Sequence, residues 1–354
     1  MNSDRLLQVR KARKLSQADL AKKSGVVQPK VSQAESGFDR LTPDEVQRIA
    51  DALGVPKSVL EREPIRLPEG SLGLFRSKRS QVTRSDVASA RHQAEFGVEL
   101  ILGLIEKSHI NFVNKLRPTQ GLDPEEAAGY ARSMMRLPPD TPIPNMVRGL
   151  ERLGVIVIAM SGLSDKILGF SAWLDSPEPR AIIAYNRDMT AYRLRFTLAH
   201  ELGHLIYGHE LFTPNAESEL EANLFAGALL LPIDGIEEDF EQALTLKSLQ
   251  QLKGKWGVSM SALIMRARRL DVISDYQMRS LFETLRQKGW RTCEPGDLET
   301  KVETPMLIEE ICQRIGIKVD AYNLAELFGL AVQDVKCILG NAGTDFDLSH
   351  LSVN

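Results

Sequence analysis

The stretch "RFTLAHELGHLIYGHE", residues 195–210, carries His200, Glu201 and His204 in the order His-Glu-x-x-His. Residues four apart on an α-helix leave the same face about one turn apart, so both imidazoles can reach one point. Phe196, Leu198, Ala199, Leu202, Leu205 and Ile206 around them are apolar, which predicts a buried helix. Two histidines in a core are costly without partners, so the fold must supply something for them to hold. Two corners of a tetrahedral zinc site satisfy that need. Glu201 then lies beside the open corner, where it can take a proton from the attacking water and pass it to a leaving amine. The alternative is a pair of core histidines with ordinary hydrogen-bond partners.

A catalytic zinc takes a third protein ligand. One version of the motif puts a histidine six residues past the second, but Glu210 stands there. Gly208 and His209 are each one residue out of place for that geometry, so His209 is rejected as a ligand while remaining near the cleft. The other version draws an acid from the following helix, and "ESELEANLFAGALLLP" offers Glu217, Glu219 and Glu221. Glu219 and Asn223 share a helix face, so Glu219 can bind metal while Asn223 supports a histidine from behind. Glu221 lies about 200° round the helix from Glu219, so both cannot ligate. Glu219 is the expected ligand and Glu221 the alternative. The remaining acids of this run suit a solvated face.

The chain begins very differently. Its first 60 residues hold eleven Lys/Arg against seven Asp/Glu, a balance of +4 in a chain whose net charge is −3. Any contact with nucleic acid is therefore expected there. "LSQADLAKKSGVVQPKVSQAESG" reads as a helix starting at Gln17, a turn at Gly25 and a second helix from about Gln28 to Ser36. Gly25 suits the turn because it tolerates positive φ, and Ala21 is small enough for close helix crossing. Val26 and Val31 are expected beneath. This stretch resembles the helix-turn-helix of the XRE/Cro family. The resemblance implies a second helix lying in the major groove of double-stranded operator DNA, with Gln28, Lys30, Ser32 and Gln33 facing base edges. Gln17, at a helix start, is expected on a phosphate. Single units of this kind bind as pairs, so a homodimer is implied.

Between and beyond these stretches, helices are expected over 85–116 and from Asp123-Pro124-Glu125-Glu126, where Asp caps and Pro takes the first turn. "VIVIAM", "ILGFSAWLD" and "RAIIAYN" read as strands of a small sheet. Residues 236–340 read as mainly helical. "LKGKWGVSMSALIMRARRL" echoes the first helix-turn-helix, either as a second DNA unit with Arg266, Arg268 and Arg269 on phosphates or, the favoured reading, as a hairpin completing the core around Trp256. "LAELFGLAVQDVKCILG" echoes it more faintly. The tail after Gly340 is polar. Arg193 and Arg195 are expected in salt bridges, and Tyr185, Tyr207 or His209 could assist the site.

With the strand before it, "RFTLAHELGHLIYGHE…ELEANLFAGALLLP" resembles the ImmA/IrrE family of zinc metallopeptidases over about residues 140–270. That resemblance implies a zincin-like fold, a Zn2+ cofactor held by His200, His204 and an acid within 219–223, Glu201 as base, and a regulatory protein as substrate. Members often occur with XRE-type units, which accounts for the pairing in one chain. The expected class is α+β, mainly α with a small sheet. The expected division is a DNA-binding domain at 1–62, a linker at 63–84, the peptidase domain with its leading helices at 85–272 and a helical region at 273–354. No apolar run reaches the ~20 residues of a membrane span. Three scattered cysteines argue for a reducing cytoplasm. A DNA-binding regulator with a zinc endopeptidase domain is the leading reading. The alternatives are a regulator whose peptidase-like domain only senses or dimerises, and an antitoxin or mobile-element repressor.

Overall fold

A computed structural model describes residues 1–38, 41–68, 75–76, 82–119, 121–164, 166–174, 179–209 and 215–340. Half of the expected linker (69–74 and 77–81) and the tail after Gly340 lie outside the described residues. The first helices are α1 (Ser3–Ala12), α2 (Gln17–Ser24), α3 (Gln28–Glu35) and α4 (Pro43–Leu53), closed by a 3-10 turn at Lys57–Glu61. Local chemistry sets their ends. Ser16 and Asp19 form a reciprocal cap on α2, Thr42 and Glu45 do the same on α4, and Gly25 and Gly54 end both helices in the left-handed region. Val26 and Val31 are buried beneath the turn as the pattern requires.

Then come β1 (Phe75–Arg76), α5 (Arg84–Ser108), α6 (Pro124–Met134), α7 (Met146–Arg152), β2 (Ile156–Met160), β3 (Ile167–Leu174) and β4 (Arg180–Asn186). Asp123 caps α6 as expected. The helix expected to reach residue 116 stops at Ser108, because His109 turns left-handed (φ 52°). The chain after it is drawn off by distant backbone: Lys115 N donates to Leu153 O (2.9 Å) and Asn114 Nδ2 to Pro179 O (2.9 Å).

The strand order is β1-β3-β4-β2, with β2 parallel to β4 and the other pairs antiparallel. Both faces are covered, which is why these strands read as unbroken apolar runs rather than alternations. On one face Ile156, Ile158, Phe170, Ile182 and Ala184 join a core that includes α5 and the N-terminal helices. On the other, Val157, Leu168, Ile183 and Tyr185 pack with α8 (Ala191–Tyr207). At Gly97 a Cβ would come within 2.8 Å of Ile158 Cγ2, so glycine lets α5 lie close on β2.

The remaining helices are α9 (Ala216–Leu230), α10 (Ile233–Phe240), α11 (Leu246–Trp256), α12 (Met260–Arg269), α13 (Asp275–Gln287), α14 (Leu307–Arg314), α15 (Ala321–Phe328) and α16 (Val332–Leu339). Trp256, Leu249 and Leu263 of the α11–α12 hairpin belong to the core around α8. Arg266 is 4% exposed and gripped bidentately by Glu125, so it is no phosphate anchor. Arg268 pairs with Asp271 and Asp275. The echo is thus a structural hairpin. α14 to α16 instead join the core of α5 and the N-terminal helices.

The N-terminal helices are docked rather than tethered. Arg5 of α1 is fully buried, and its Nη2 lies 2.7 Å from both carboxylate oxygens of Glu99 on α5. Gln8 reaches Glu95 (2.9 Å), Ser89 Oγ donates to Ala12 O (3.1 Å), and Arg13 pairs with Asp334 of α16 (2.5 Å). No helix among the described residues is long and apolar enough to cross a membrane.

Candidate metal centre and nucleic-acid face

α8 lies across the sheet with both histidines inward: His200 is fully buried and His204 is 3% exposed. Their Nε2 atoms stand 3.0 Å apart. Glu219, from the first turn of α9, faces both, with carboxylate oxygens 3.7 Å from His200 Nε2 and 3.9 Å from His204 Nε2. Ligand atoms of His200, His204 and Glu219 all lie within 4.8 Å of one another. Glu221 points elsewhere, to His209 Nε2 at 2.7 Å.

Proton counting tests whether a metal fits. His200 Nδ1 contacts Asn223 Oδ1 at 3.1 Å, and a carbonyl oxygen only accepts, so Nδ1 carries the hydrogen. On the other side, the Glu221 carboxylate accepts from His209 Nε2, and in a neutral His209 ring that makes Nδ1 the acceptor. It sits 2.9 Å from His204 Nδ1, which must therefore be the donor. Both histidines then turn an unprotonated Nε2 toward the same point. Two lone pairs so close repel unless a cation lies between them. Burial keeps both rings neutral as well, pulling His200 down to about 4 and His204 to about 3. Two imidazoles and one carboxylate are a donor set that suits zinc.

Glu201 is fully buried beside this point. Ser171 Oγ of β3 donates to its Oε2 (2.8 Å), while Oε1 is buried with no hydrogen-bond partner among the described residues. Burial raises its pKa to about 8; the Ser171 hydrogen bond opposes that rise and the Glu219 charge adds to it. Ser171 and the His209–Glu221 contact are partners that sequence reading missed. A lone serine inside the apolar run "ILGFSAWL" was the available signal for the first. Of the three groups expected to assist, Tyr185 is excluded because its hydroxyl donates to Glu303 O (3.1 Å), away from the histidines. Tyr207 stacks on His209. Arg195 forms the expected salt bridge, with Glu303 at 2.7 Å.

In the N-terminal unit, Gln28 and Gln33 are exposed and Ser32 is half-buried on α3. Gln28 Nε2 donates to Gln17 Oε1 (3.0 Å), and Gln17 Nε2 to Glu35 (2.9 Å), so α2 braces the start of α3. Lys30 is tied to Glu45 at 2.6 Å. Val27 and Phe38, 62% and 71% exposed, flank α3 as bare apolar surface that sequence reading did not single out.

Residues 6–60 match the family model described as helix-turn-helix, and residues 150–268 match that of the IrrE N-terminal-like domain, Peptidase_M78. No curated protein matches the chain. One chain therefore joins an XRE-type helix-turn-helix unit to an ImmA/IrrE-type domain.

Proposed function

We propose that this chain is a cytoplasmic, dimeric transcription regulator that binds operator DNA through α2–α3 and cuts a partner regulatory protein with a zinc endopeptidase site. The observation that carries the second half is the convergence of two unprotonated Nε2 atoms and the Glu219 carboxylate on one point. His200, His204 and Glu219 hold the metal, and Asn223 fixes the His200 ring from behind. A zinc ion there supplies Lewis acidity to a peptide carbonyl and to water. Glu201 moves the proton: Ser171 anchors one oxygen, and the unpartnered Oε1 accepts a proton from water and delivers it to the leaving amine. The buried surroundings exclude bulk water from that transfer.

Gln28 and Gln33 face base edges, Ser32 and Lys30 complete the reading face, and Gln17 braces Gln28 while reaching a phosphate. Val27 stands where an apolar side chain meets a thymine methyl. Gln28→Ala is expected to cost about 1–3 kcal/mol of discrimination on an operator selected from random DNA, with little change on non-specific DNA. Fluorescence anisotropy on both duplexes checks it.

The functional test is to map the DNA bound in cells and incubate the zinc-loaded protein with regulators encoded beside it. One of them should be cut by the wild type and left intact by Glu201→Gln. Unchanged regulation in the Glu201→Gln strain would instead favour a non-catalytic sensor domain.

A further inference from the structure

The chain folds back directly after α8. Gly208 ends the helix in the left-handed region (φ 63°), and His209 N then donates to His204 O (3.2 Å). That return sets the His209 ring against His204, with Nδ1 to Nδ1 at 2.9 Å, and the Tyr207 ring stacks on its other side at 5.3 Å and 18°. Glu221, two residues after Glu219 on α9, closes the row at His209 Nε2 (2.7 Å). The result is a line of carboxylate, imidazole and imidazole ending at the metal point, in place of the single carboxylate or carbonyl that usually backs a ligand histidine.

We propose that His209 and Glu221 are a positioning pair: together they fix the tautomer and orientation of His204 so that it offers an unprotonated Nε2 to the metal. The proposal rests on reading His200, His204 and Glu219 as zinc ligands. Glu221 acts only through His209. Its charge holds the hydrogen on His209 Nε2, and that leaves Nδ1 able to accept from His204. The line also explains why a histidine lies close to the site yet out of ligand register.

Zinc affinity, measured by competition with a chromophoric chelator, tests this on the full chain. His209→Phe keeps a ring against Tyr207 but offers no acceptor, and should bind zinc roughly 10–100-fold more weakly. His209→Asn places an amide oxygen near the position of Nδ1 and should recover most of the loss. Glu221→Gln should show a smaller loss, and adding it to His209→Phe should change nothing further, because its only route to the metal is gone. Metal-free thermal melts should be alike for all variants. The proposal is overturned if His209→Phe binds zinc as tightly as the wild type, or if the two losses add, which would place Glu221 on the metal itself. A wild-type chain that takes up no zinc overturns the underlying reading, and the proposal with it.

Discussion

Glu201→Gln should keep its zinc and lose cleavage of the partner protein by roughly 10²–10⁴-fold, the usual size of a general acid–base contribution. Gln fills the same space and accepts the Ser171 hydroxyl, but it cannot carry a proton between water and amine. The same change should make the metal-free protein more stable. Folded Glu201 holds its proton up to about pH 8, against an ordinary value of 4.5. Below 4.5 both states are protonated and the residue costs nothing. As pH rises from 4.5 toward 8, the unfolded chain ionises while the folded one does not, so stability is progressively lost. At pH 7 the loss amounts to about 3 kcal/mol, and Gln has no such term. Chelator-treated wild type and variant should therefore melt at similar temperatures near pH 4.5 and diverge as pH rises, the variant higher. Undiminished cleavage would remove Glu201 from the mechanism, and an identical pH dependence would remove the buried-acid account.

Arg5→Leu should destabilise the chain by about 3–5 kcal/mol, the cost of leaving a buried charge without its partner. Arg5 is fully buried and clamps Glu99 through both carboxylate oxygens at 2.7 Å, on the seam between α1 and α5. Without it Glu99, 9% exposed, keeps among the described residues only Arg62 at 3.8 Å as an ion-pair partner. Adding Glu99→Leu should recover most of the loss, because two apolar side chains need no pairing there. Urea unfolding of the two variants reads the effect. A single-variant change under about 1 kcal/mol would mean that the N-terminal unit is not held by this pair. The seam matters because α5 also packs on β2, which places the helix-turn-helix unit and the half that carries His200, His204 and Glu219 on opposite sides of one shared helix.

What could be read in advance was local. The turn between α2 and α3 is written in Gly25, and the shared histidine face of α8 in a spacing of four residues. Helix angle shows only that Glu219 and Glu221 cannot both ligate; the face shared with Asn223 favours Glu219 and leaves Glu221 as the alternative. What escaped depends on distant parts of the chain. Ser171 is 30 residues from Glu201, and Arg5 is 94 from Glu99. The end of α5 is decided by backbone partners at Leu153 and Pro179. The α11–α12 hairpin shows the limit most clearly. Gly257 and Gly25 both end their helices at φ 67°, so the two hairpins share a local grammar. Only burial against Glu125 separates Arg266 from a DNA-contacting arginine. His209 escaped for another reason: its spacing takes it out of ligand register, and its contact with His204 depends on the backward turn at Gly208.

Anomalous diffraction at the zinc edge from zinc-loaded crystals tests the central claim most directly. One peak per chain, about 2.0–2.2 Å from His200 Nε2, His204 Nε2 and a Glu219 oxygen, is the predicted result. A zinc-loaded crystal with no peak at that point, or with zinc on His209 and Glu221 instead, would contradict it.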